Sequence, residues 1–337
     1  MSELDHWHPV ALSRELGKRP LRATLHGRDL ALFRTAHGVG ALDDGCAHRG
    51  YPLHMGKVEG DCLVCPYHGW RWSADGAGES PGTPTAKPRA AAWDAVERMG
   101  AVWVRPAGSD APFPVVDVSG HTEIGTLRRR VKQPLEVALD NFIEVEHTPS
   151  VHAFLGYTPG SLASIACETT ATDDAVRVYN RGPQRPLPRA IRRMFDIPDD
   201  ADFVDDWTTR FSPVHTVYDQ YFHAGADGPR AGEALRVAVF FTPAGPRETD
   251  LFVFAYTNAA RWERPVWTTL RLPLVLGLVA LEVHRDGALL DRMGDAPVEL
   301  RGRALGRFDK ALVAARKRIE RIYRGRREGA LTVVDDG

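Results

Sequence analysis

The stretch CAHRGYPLHMGKVEGDCLVCPYHGW, residues 46–70, decides the reading of this chain. It opens on Cys46-Ala47-His48 and closes on Cys65-Pro66-Tyr67-His68-Gly69-Trp70, with sixteen residues between His48 and Cys65. Each half offers one thiolate and one imidazole. Zinc also takes two Cys and two His, and four unrelated loop residues are the plainest alternative. Zinc fingers pair Cys with Cys and His with His, whereas here each half holds one of each. That arrangement suits a [2Fe–2S] cluster with both Cys on one iron and both His on the other. Neutral imidazoles in place of thiolates disfavour the reduced cluster less and raise its potential. Pro66, Tyr67, Trp70 and Trp72 are expected to supply apolar cover. Cys62 mimics a C-x-x-C with Cys65 and reads as a packed thiol, because the other spacing is already complete.

Working outward, the first third is rich in Gly and Pro and carries short apolar runs, Leu30 to Phe33 and Ala101 to Val104, between turn signals. This predicts a small all-β unit. Pro81, Pro84 and Pro88, then Pro106, Pro112 and Pro114, mark a segment that ends at a domain boundary near residue 117. Beyond it, Thr126 to Lys132 reads as a strand. Leu135 to His147 has helical spacing, with Leu135, Ala138, Leu139, Phe142 and Val145 on one side. Leu235 to Thr242 and Asp250 to Thr257 read as an antiparallel hairpin around Pro243, Gly245 and Pro246. Phe308, Ala311, Leu312, Ala315, Ile319 and Ile322 form the apolar stripe of a C-terminal helix. No internal repeat is evident.

A second set of chemistry-bearing residues lies just past the boundary. A helix through Leu135 to His147 places Asn141, Glu144 and His147 near one face by i, i+3 steps. Pro149 is expected to break that helix, with His152 just beyond. Two His from one segment and one distant carboxylate make the facial triad of non-haem Fe(II) enzymes, which leaves open positions at the metal. The alternative is a pair of ordinary surface or core histidines.

Composition bounds the rest. The chain has 337 residues, 43% hydrophobic and 26% charged, which suits two globular domains rather than a disordered or fibrous chain. Lys plus Arg number 43 against 44 Asp plus Glu, an even balance that argues against nucleic acid as the main partner. Four Cys exclude a disulfide scaffold. The N-terminus lacks the basic and apolar regions of a secretory signal, and the longest uncharged apolar run, Leu272 to Leu281, is too short to span a bilayer. The simplest expectation is a cytoplasmic protein with no membrane association. Arg301 to Glu328 holds eleven basic and three acidic residues. It reads either as a solvated helix face or as a docking face for an acidic partner. No G-x-G-x-x-G opens a βαβ unit, so the chain offers no case for binding NAD(P)H or flavin itself. Residues 150–270 are expected to line the substrate pocket. They offer Phe203, Trp207, Phe211, Tyr218, Tyr221, Phe222, Phe240, Phe241 and Phe254, most of which read as core rather than pocket, with Arg210, His215, His223 and Asn258 as polar contacts or, equally, surface residues.

Residues 46–70 resemble the Rieske motif, C-x-H then C-x-x-H, of Rieske-type non-haem iron oxygenases. Asn141, Glu144, His147 and His152 match that family's N-x-x-D-x-x-H-x4-H, with Glu in place of the usual Asp. The likeness covers nearly the whole chain and is greatest to the compact dicamba/vanillate O-demethylase group. It implies an α+β protein, with an all-β Rieske domain over 1–117 and a helix-grip catalytic domain, an antiparallel sheet wrapped around a long helix, over 118–337. It implies Cys46, His48, Cys65 and His68 as ligands of the [2Fe–2S] cluster, and His147 and His152 as ligands of a mononuclear Fe(II). The family's third ligand is an Asp followed five residues later by an acid, which makes Asp286 the third ligand here, with Asp291 as that acid. Glu282, Asp291 and Asp295 are the nearby alternatives. Glu144 takes the place of the carboxylate that links the iron-ligand His to a cluster His, here His68, of the next chain in a homotrimer, with Glu146 a weaker candidate. Asn141 stands beside it. The resemblance further implies a terminal oxygenase that uses O2 and electrons from a separate NAD(P)H-dependent reductase, with or without a ferredoxin. It would hydroxylate or oxidatively demethylate a small, largely apolar substrate. A cis-diol-forming dioxygenase and a non-oxygenating electron carrier are the alternatives.

Overall fold

The computed structural model describes residues 2–152, 154–225, 228–258 and 265–326, the side chains of 194, 233 and 265–271 excepted. Its first ten strands are short. They are β1 (His8–Leu12), β2 (Leu21–Leu25), β3 (Arg28–Thr35), β4 (Gly38–Asp43), β5 (Lys57–Glu59), β6 (Cys62–Val64), β7 (Arg71–Trp72), β8 (Gly78–Glu79), β9 (Ala92–Arg98) and β10 (Ala101–Pro106). Six of them form one sheet in the order β1-β10-β9-β4-β3-β2, and β5 to β8 form a second, four-stranded sheet in sequence order. The second sheet is inserted between β4 and β9, and it carries the Cys/His segment on its connections.

A long strand, β11 (His121–Val131), opens the rest of the fold. Next come α1 (Leu135–Phe142), α2 (Thr148–Val151), β12 (Ala166–Ala171), β13 (Ala175–Pro183) and α3 (Arg189–Met194). Four long strands, β14 (Ala201–Phe211), β15 (Val214–Ala224), β16 (Arg230–Gly245) and β17 (Glu248–Asn258), precede α4 (Pro265–Arg292) and α5 (Lys310–Arg318). The strands make one seven-stranded antiparallel sheet in the order β11-β17-β16-β15-β14-β13-β12, with α4 lying against β11. The expected hairpin is β16–β17, closed between Gly245 and Glu248. The fold is thus α+β. At Gly125, φ is +154°, and a Cβ there would lie 2.8 Å from Leu276 of α4, so a side chain would push the helix off the strand.

Strand β17 is buried on both faces, which is why it reads as a continuous apolar run rather than an alternation. Leu251, Val253 and Ala255 face the core beneath α1 and α4. Phe252, Phe254 and Tyr256 pack with Trp7, Ala101 and Trp103 of the first sheet. Trp103 is fully buried, with ring centroids 4.9 Å from Phe240 and 5.8 Å from Phe254, and this aromatic joint fixes one sheet on the other.

Two helical expectations are corrected. The helix predicted over Leu135 to His147 ends at Phe142, and Ile143 leaves helical geometry at φ −126°, ψ 19°. Thr148-Pro149 then starts α2 instead of merely breaking a helix, because a residue lacking an N–H is favoured in a first turn. The C-terminal stripe holds through Ile319, but a π-turn over Ile319–Tyr323 advances the register, so Tyr323 is fully buried and Ile322 only partly.

Candidate metal centres and cavity

The two halves of the 46–70 segment fold as matching loops. The Cys46 N–H donates to the Tyr51 carbonyl at 2.9 Å and the Gly50 N–H to the Cys46 carbonyl at 2.7 Å. In the second loop, the Cys65 N–H donates to the Trp70 carbonyl at 2.8 Å and the Gly69 N–H to the Cys65 carbonyl at 3.0 Å. Gly50 and Gly69 hold φ of +70° and +69°, a conformation glycine adopts without strain. One Cys and one His therefore arrive together from each loop. The His48 and His68 rings lie 4.6 Å apart, and Trp70 stacks on His48 at 4.4 Å.

Cys46 and Cys65 are buried with Leu53, Leu63 and Trp72, and burial pushes the Cys46 thiol up, with the adjacent Cys65 adding to it. The buried His48 Nδ1 has no hydrogen-bond partner among the described residues. Two buried free thiols and an orphaned imidazole nitrogen, at the meeting point of matched loops, fit a [2Fe–2S] cluster. The expected cover is corrected in part. Trp72 and Trp70 provide it on the thiol side, while Pro66 and Tyr67 point outward, Tyr67 with 54% exposure, because they ride on the outer tip of the second loop beside exposed His68. Cys62 is half-buried next to Arg71 rather than in the core, since its strand neighbour Leu63 takes the inward position.

The second centre is assembled from three places. Between α1 and α2, the Glu144 carboxylate folds back and accepts hydrogen bonds from the Glu146 and His147 backbone N–H groups and from His147 Nδ1. With Nδ1 committed, Nε2 of His147 is left facing Asp286 Oδ1 at 3.5 Å. His152, just past α2, places Nε2 2.9 Å from the same oxygen. One donor atom from each of His147, His152 and Asp286 lies within 4.8 Å of the other two. Asp286 projects from α4 and is 4% exposed. Burial alone would raise its carboxyl, but His147 and His152 hold it well below the usual carboxylate range. Burial likewise works against charge on His147, yet Asp286 and Glu144 push its imidazole up to about 10 in the metal-free chain. Two imidazoles and a carboxylate converging on one point fit a divalent iron, the donor set of a facial triad.

The other acids take different roles. Glu282, one turn before Asp286, comes within 3.8 Å of His152 Nδ1. Asp291 instead binds Arg129 at 2.6 Å and the Lys132 N–H at 2.9 Å, and exposed Asp295 pairs with Arg247. Glu146 is exposed. Asn141 is buried beside the centre with its Nδ2 unpartnered. The helix does not carry Asn141, Glu144 and His147 on one face as expected, because it ends before Glu144. A turn brings them together instead.

The His pair and Asp286 open into a cavity of about 160 Å³, walled largely by apolar side chains from α4 and the concave sheet face. Of the aromatic candidates, Phe203, Trp207, Tyr218 and Phe222 line it. Phe211, Phe240, Phe241 and Phe254 are core, and Tyr221 alternates to the other side of its strand. Of the four residues read as polar contacts or surface residues, none is among the residues lining it. His215 is buried against Phe240, His223 bonds the Gly228 carbonyl, and Arg210 and Asn258 are exposed. The polar residues present on the sheet side are Asp205 and Gln220. The even spacing Phe203, Asp205, Trp207 within a strand was the available signal. Within the basic C-terminal stretch, Arg316 pairs with Asp140, Arg324 with Glu136, and Arg307 with the Leu162 carbonyl, while Lys310 and Lys317 stay exposed. Arg327 and Glu328 lie outside the described residues.

Comparison with known proteins agrees with this geometry. The Rieske [2Fe-2S] domain family matches residues 6–95, and the vanillate O-demethylase oxygenase C-terminal domain family matches residues 131–324, over half of the chain. The chain belongs to the Rieske-type non-haem iron oxygenases, whose cofactors are a Rieske [2Fe–2S] cluster and a mononuclear iron. It is 33% identical to chlorophyllide a oxygenase of Oryza sativa subsp. japonica over 160 residues, 44% of this chain and 28% of that protein. It is 33% identical to the oxygenase component of 3-ketosteroid-9-alpha-monooxygenase from Rhodococcus rhodochrous over 206 residues, 55% of this chain and 53% of that one. The chain thus spans between a quarter and about half of these curated relatives. The crystal structure of dicamba monooxygenase bound to dicamba superposes with a TM-score of 0.76 at 19% identity, over 95% of this chain and 97% of that one, a likeness of fold. Among the described residues, no helix is long and apolar enough to cross a membrane.

Proposed function

We propose that this chain is the terminal oxygenase of a multicomponent system. It would act as a monooxygenase that hydroxylates or oxidatively demethylates a small, mainly apolar molecule with O2. In this reading residues 1–117 carry the cluster on Cys46, His48, Cys65 and His68, and residues 118–337 carry the iron on His147, His152 and Asp286. The observation that carries it is the convergence of those three residues on one wall of an apolar cavity. When bound, the cluster supplies one electron at a time and the iron supplies O2 activation.

The protein's own groups do the remaining work. Glu144 holds the His147 ring in one tautomer and orientation. Phe203, Trp207, Tyr218 and Phe222 exclude water and seat the substrate beside the centre. In this reading Glu144 would also link His147 to His68 of the next subunit in a homotrimer, completing a path between cluster and iron. Electrons would come from a separate NAD(P)H-dependent reductase, directly or through a ferredoxin, in the cytoplasm. The match to the vanillate O-demethylase C-terminal family favours monooxygenation over cis-diol formation.

The test is iron and acid-labile sulfide per chain on anaerobically purified protein, with EPR after dithionite reduction. About three irons and two sulfides with a Rieske signal are expected. Formaldehyde release and product mass shift in a substrate screen then separate demethylation from hydroxylation. About two irons that do not rise when Fe(II) is supplied would leave an electron carrier and overturn the oxygenase reading.

A further inference from the structure

The cavity floor has an ordered chemistry. Strands β14 and β15 pair Phe203 with Phe222, Asp205 with Gln220, and Trp207 with Tyr218, and all six side chains line the cavity. Two aromatic rungs therefore enclose one polar rung. Asp205 is 6% exposed; on its other side buried Asn180 of β13 donates to its backbone carbonyl at 3.3 Å and leaves the carboxylate to Gln220. Gln220 Nε2 donates to Oδ1 at 3.1 Å, and among the described residues no other side chain or backbone donor reaches this carboxylate. A carboxylate accepts about four hydrogen bonds, so the oxygen facing the cavity is short of donors.

The rest of the lining sharpens the point. Among the described residues no Lys or Arg lines the cavity, whereas Glu144, Glu282 and Asp286 do, in addition to Asp205. His147 and His152 are turned to Asp286. Away from the iron held in the oxygenase reading by His147, His152 and Asp286, an anionic substrate would meet carboxylates and, among the described residues, no Lys or Arg to receive it. A cavity near 160 Å³ is the size of one that holds a single benzene ring, about 150 Å³.

Resting on the oxygenase reading for the reaction itself, we infer that Asp205 and Gln220 form the specificity subsite, which selects a one-ring, mainly apolar substrate bearing an N–H or O–H donor, a protonated amine foremost, and rejects carboxylates. Burial pushes the Asp205 carboxyl up to about 6, with Gln220, His152 and His147 acting against it.

Three probes that share a ring and a methoxy group test this: 4-methoxybenzylamine, 4-methoxytoluene and 4-methoxybenzoate. Their dissociation constants are measured by calorimetry on the holoprotein at pH 7.5. The amine is expected to bind about tenfold or more tighter than the toluene, as a charge-assisted hydrogen bond gives, and the benzoate weakest. Asp205→Asn should remove about tenfold of the amine preference with iron content unchanged, and Asp205→Glu should keep part of it. Benzoate binding as tight as the amine, no measurable binding of the amine, or an unchanged preference in Asp205→Asn would overturn the subsite. The comparison within the wild-type protein does not depend on how a variant folds. Because binding is read without turnover, an amine preference in protein that releases no product sinks the oxygenase reading alone. Product formation with a benzoate preference sinks the subsite alone.

Discussion

Replacing Glu144 by glutamine isolates the contribution of a single charge to the iron site. The carboxylate accepts from three donors: His147 Nδ1, the His147 N–H at 3.3 Å and the Glu146 N–H. Glutamine is isosteric but offers one acceptor oxygen and one NH2. If the oxygen faces the ring, the NH2 meets two backbone N–H groups, and if it is reversed, the NH2 meets the ring N–H. Either orientation sets donor against donor at a side chain only 15% exposed. Such a mismatch costs about 1–3 kcal/mol, or about 10- to 100-fold in an equilibrium constant, the range found when an outer-shell partner of a metal-binding His is removed. The assay is Fe(II) titration of protein depleted of mononuclear iron with its cluster intact, followed at saturating iron by stopped-flow reoxidation of the reduced cluster. The apparent Fe(II) affinity is expected to fall about 10- to 100-fold, reoxidation to slow even with both sites filled, and the cluster EPR signal to persist. Glu144→Asp keeps the charge on a shorter arm and should fall between the two. Unchanged Fe(II) affinity and unchanged reoxidation in Glu144→Gln would refute the reasoning.

Asp286→Ala should lose the mononuclear iron and keep the red-brown cluster, lowering iron by about one per chain without changing sulfide; full iron retention would transfer the ligand role to Glu282. Trp103→Ala should lower stability by about 3–5 kcal/mol in denaturant unfolding, because its buried ring joins the first sheet to Phe240 and Phe254, and a loss under about 1 kcal/mol would show that the joint is not a clamp. His215 is buried against Phe240, and burial lowers its imidazole to about 4 from 6.5. Above pH 6.5 neither folded nor unfolded chain protonates it. As the pH falls from 6.5 to 4 the unfolded chain takes up the proton and the folded chain does not, so stability declines by about 1.4 kcal/mol per unit, about 3 kcal/mol in all. His215→Phe should remove that decline, so parallel stability–pH curves for the two proteins over this window would contradict the assignment.

What the sequence disclosed depended on how far apart in the chain the partners of each site lie. The cluster loops were legible because each is a few residues long and closed by its own backbone hydrogen bonds, Cys46 to Tyr51 and Cys65 to Trp70, with Gly50 and Gly69 at the required turns. His147 and His152 were legible for the same reason. The helix assumed to carry Glu144 was not, because apolar spacing continues through Val145 while Ile143 already leaves the helix and the Glu144 side chain satisfies the next N–H groups itself. Asp286 was favoured over Asp291 and Asp295 by register alone, and the packing of its helix supplies the physical difference: Asp291 turns to Arg129 on β11, whereas Asp286 turns to the His pair.

The cavity floor was the least legible part. Aromatic residues of β14 to β17 all fit a buried strand, and sequence cannot say which of two faces becomes cavity when both are covered, as Phe252 and Val253 of adjacent faces illustrate. Asp205 is the instructive case. Read along the strand, Asp205-Asp206 is a pair of acids of the kind that usually marks a solvated turn. Cross-strand register separates them: Asp206 pairs with Arg177 at 2.5 Å on the outer face, and Asp205 is turned inward between Phe203 and Trp207, where Gln220 is the one hydrogen-bond partner of its carboxylate among the described residues. An inward carboxylate with one hydrogen bond is unfavourable for the fold alone, and no apolar repacking of the strand calls for it. Its physical rationale is a ligand that completes its hydrogen bonding, which is why the polar rung, and not the surrounding aromatic wall, sets what the cavity selects.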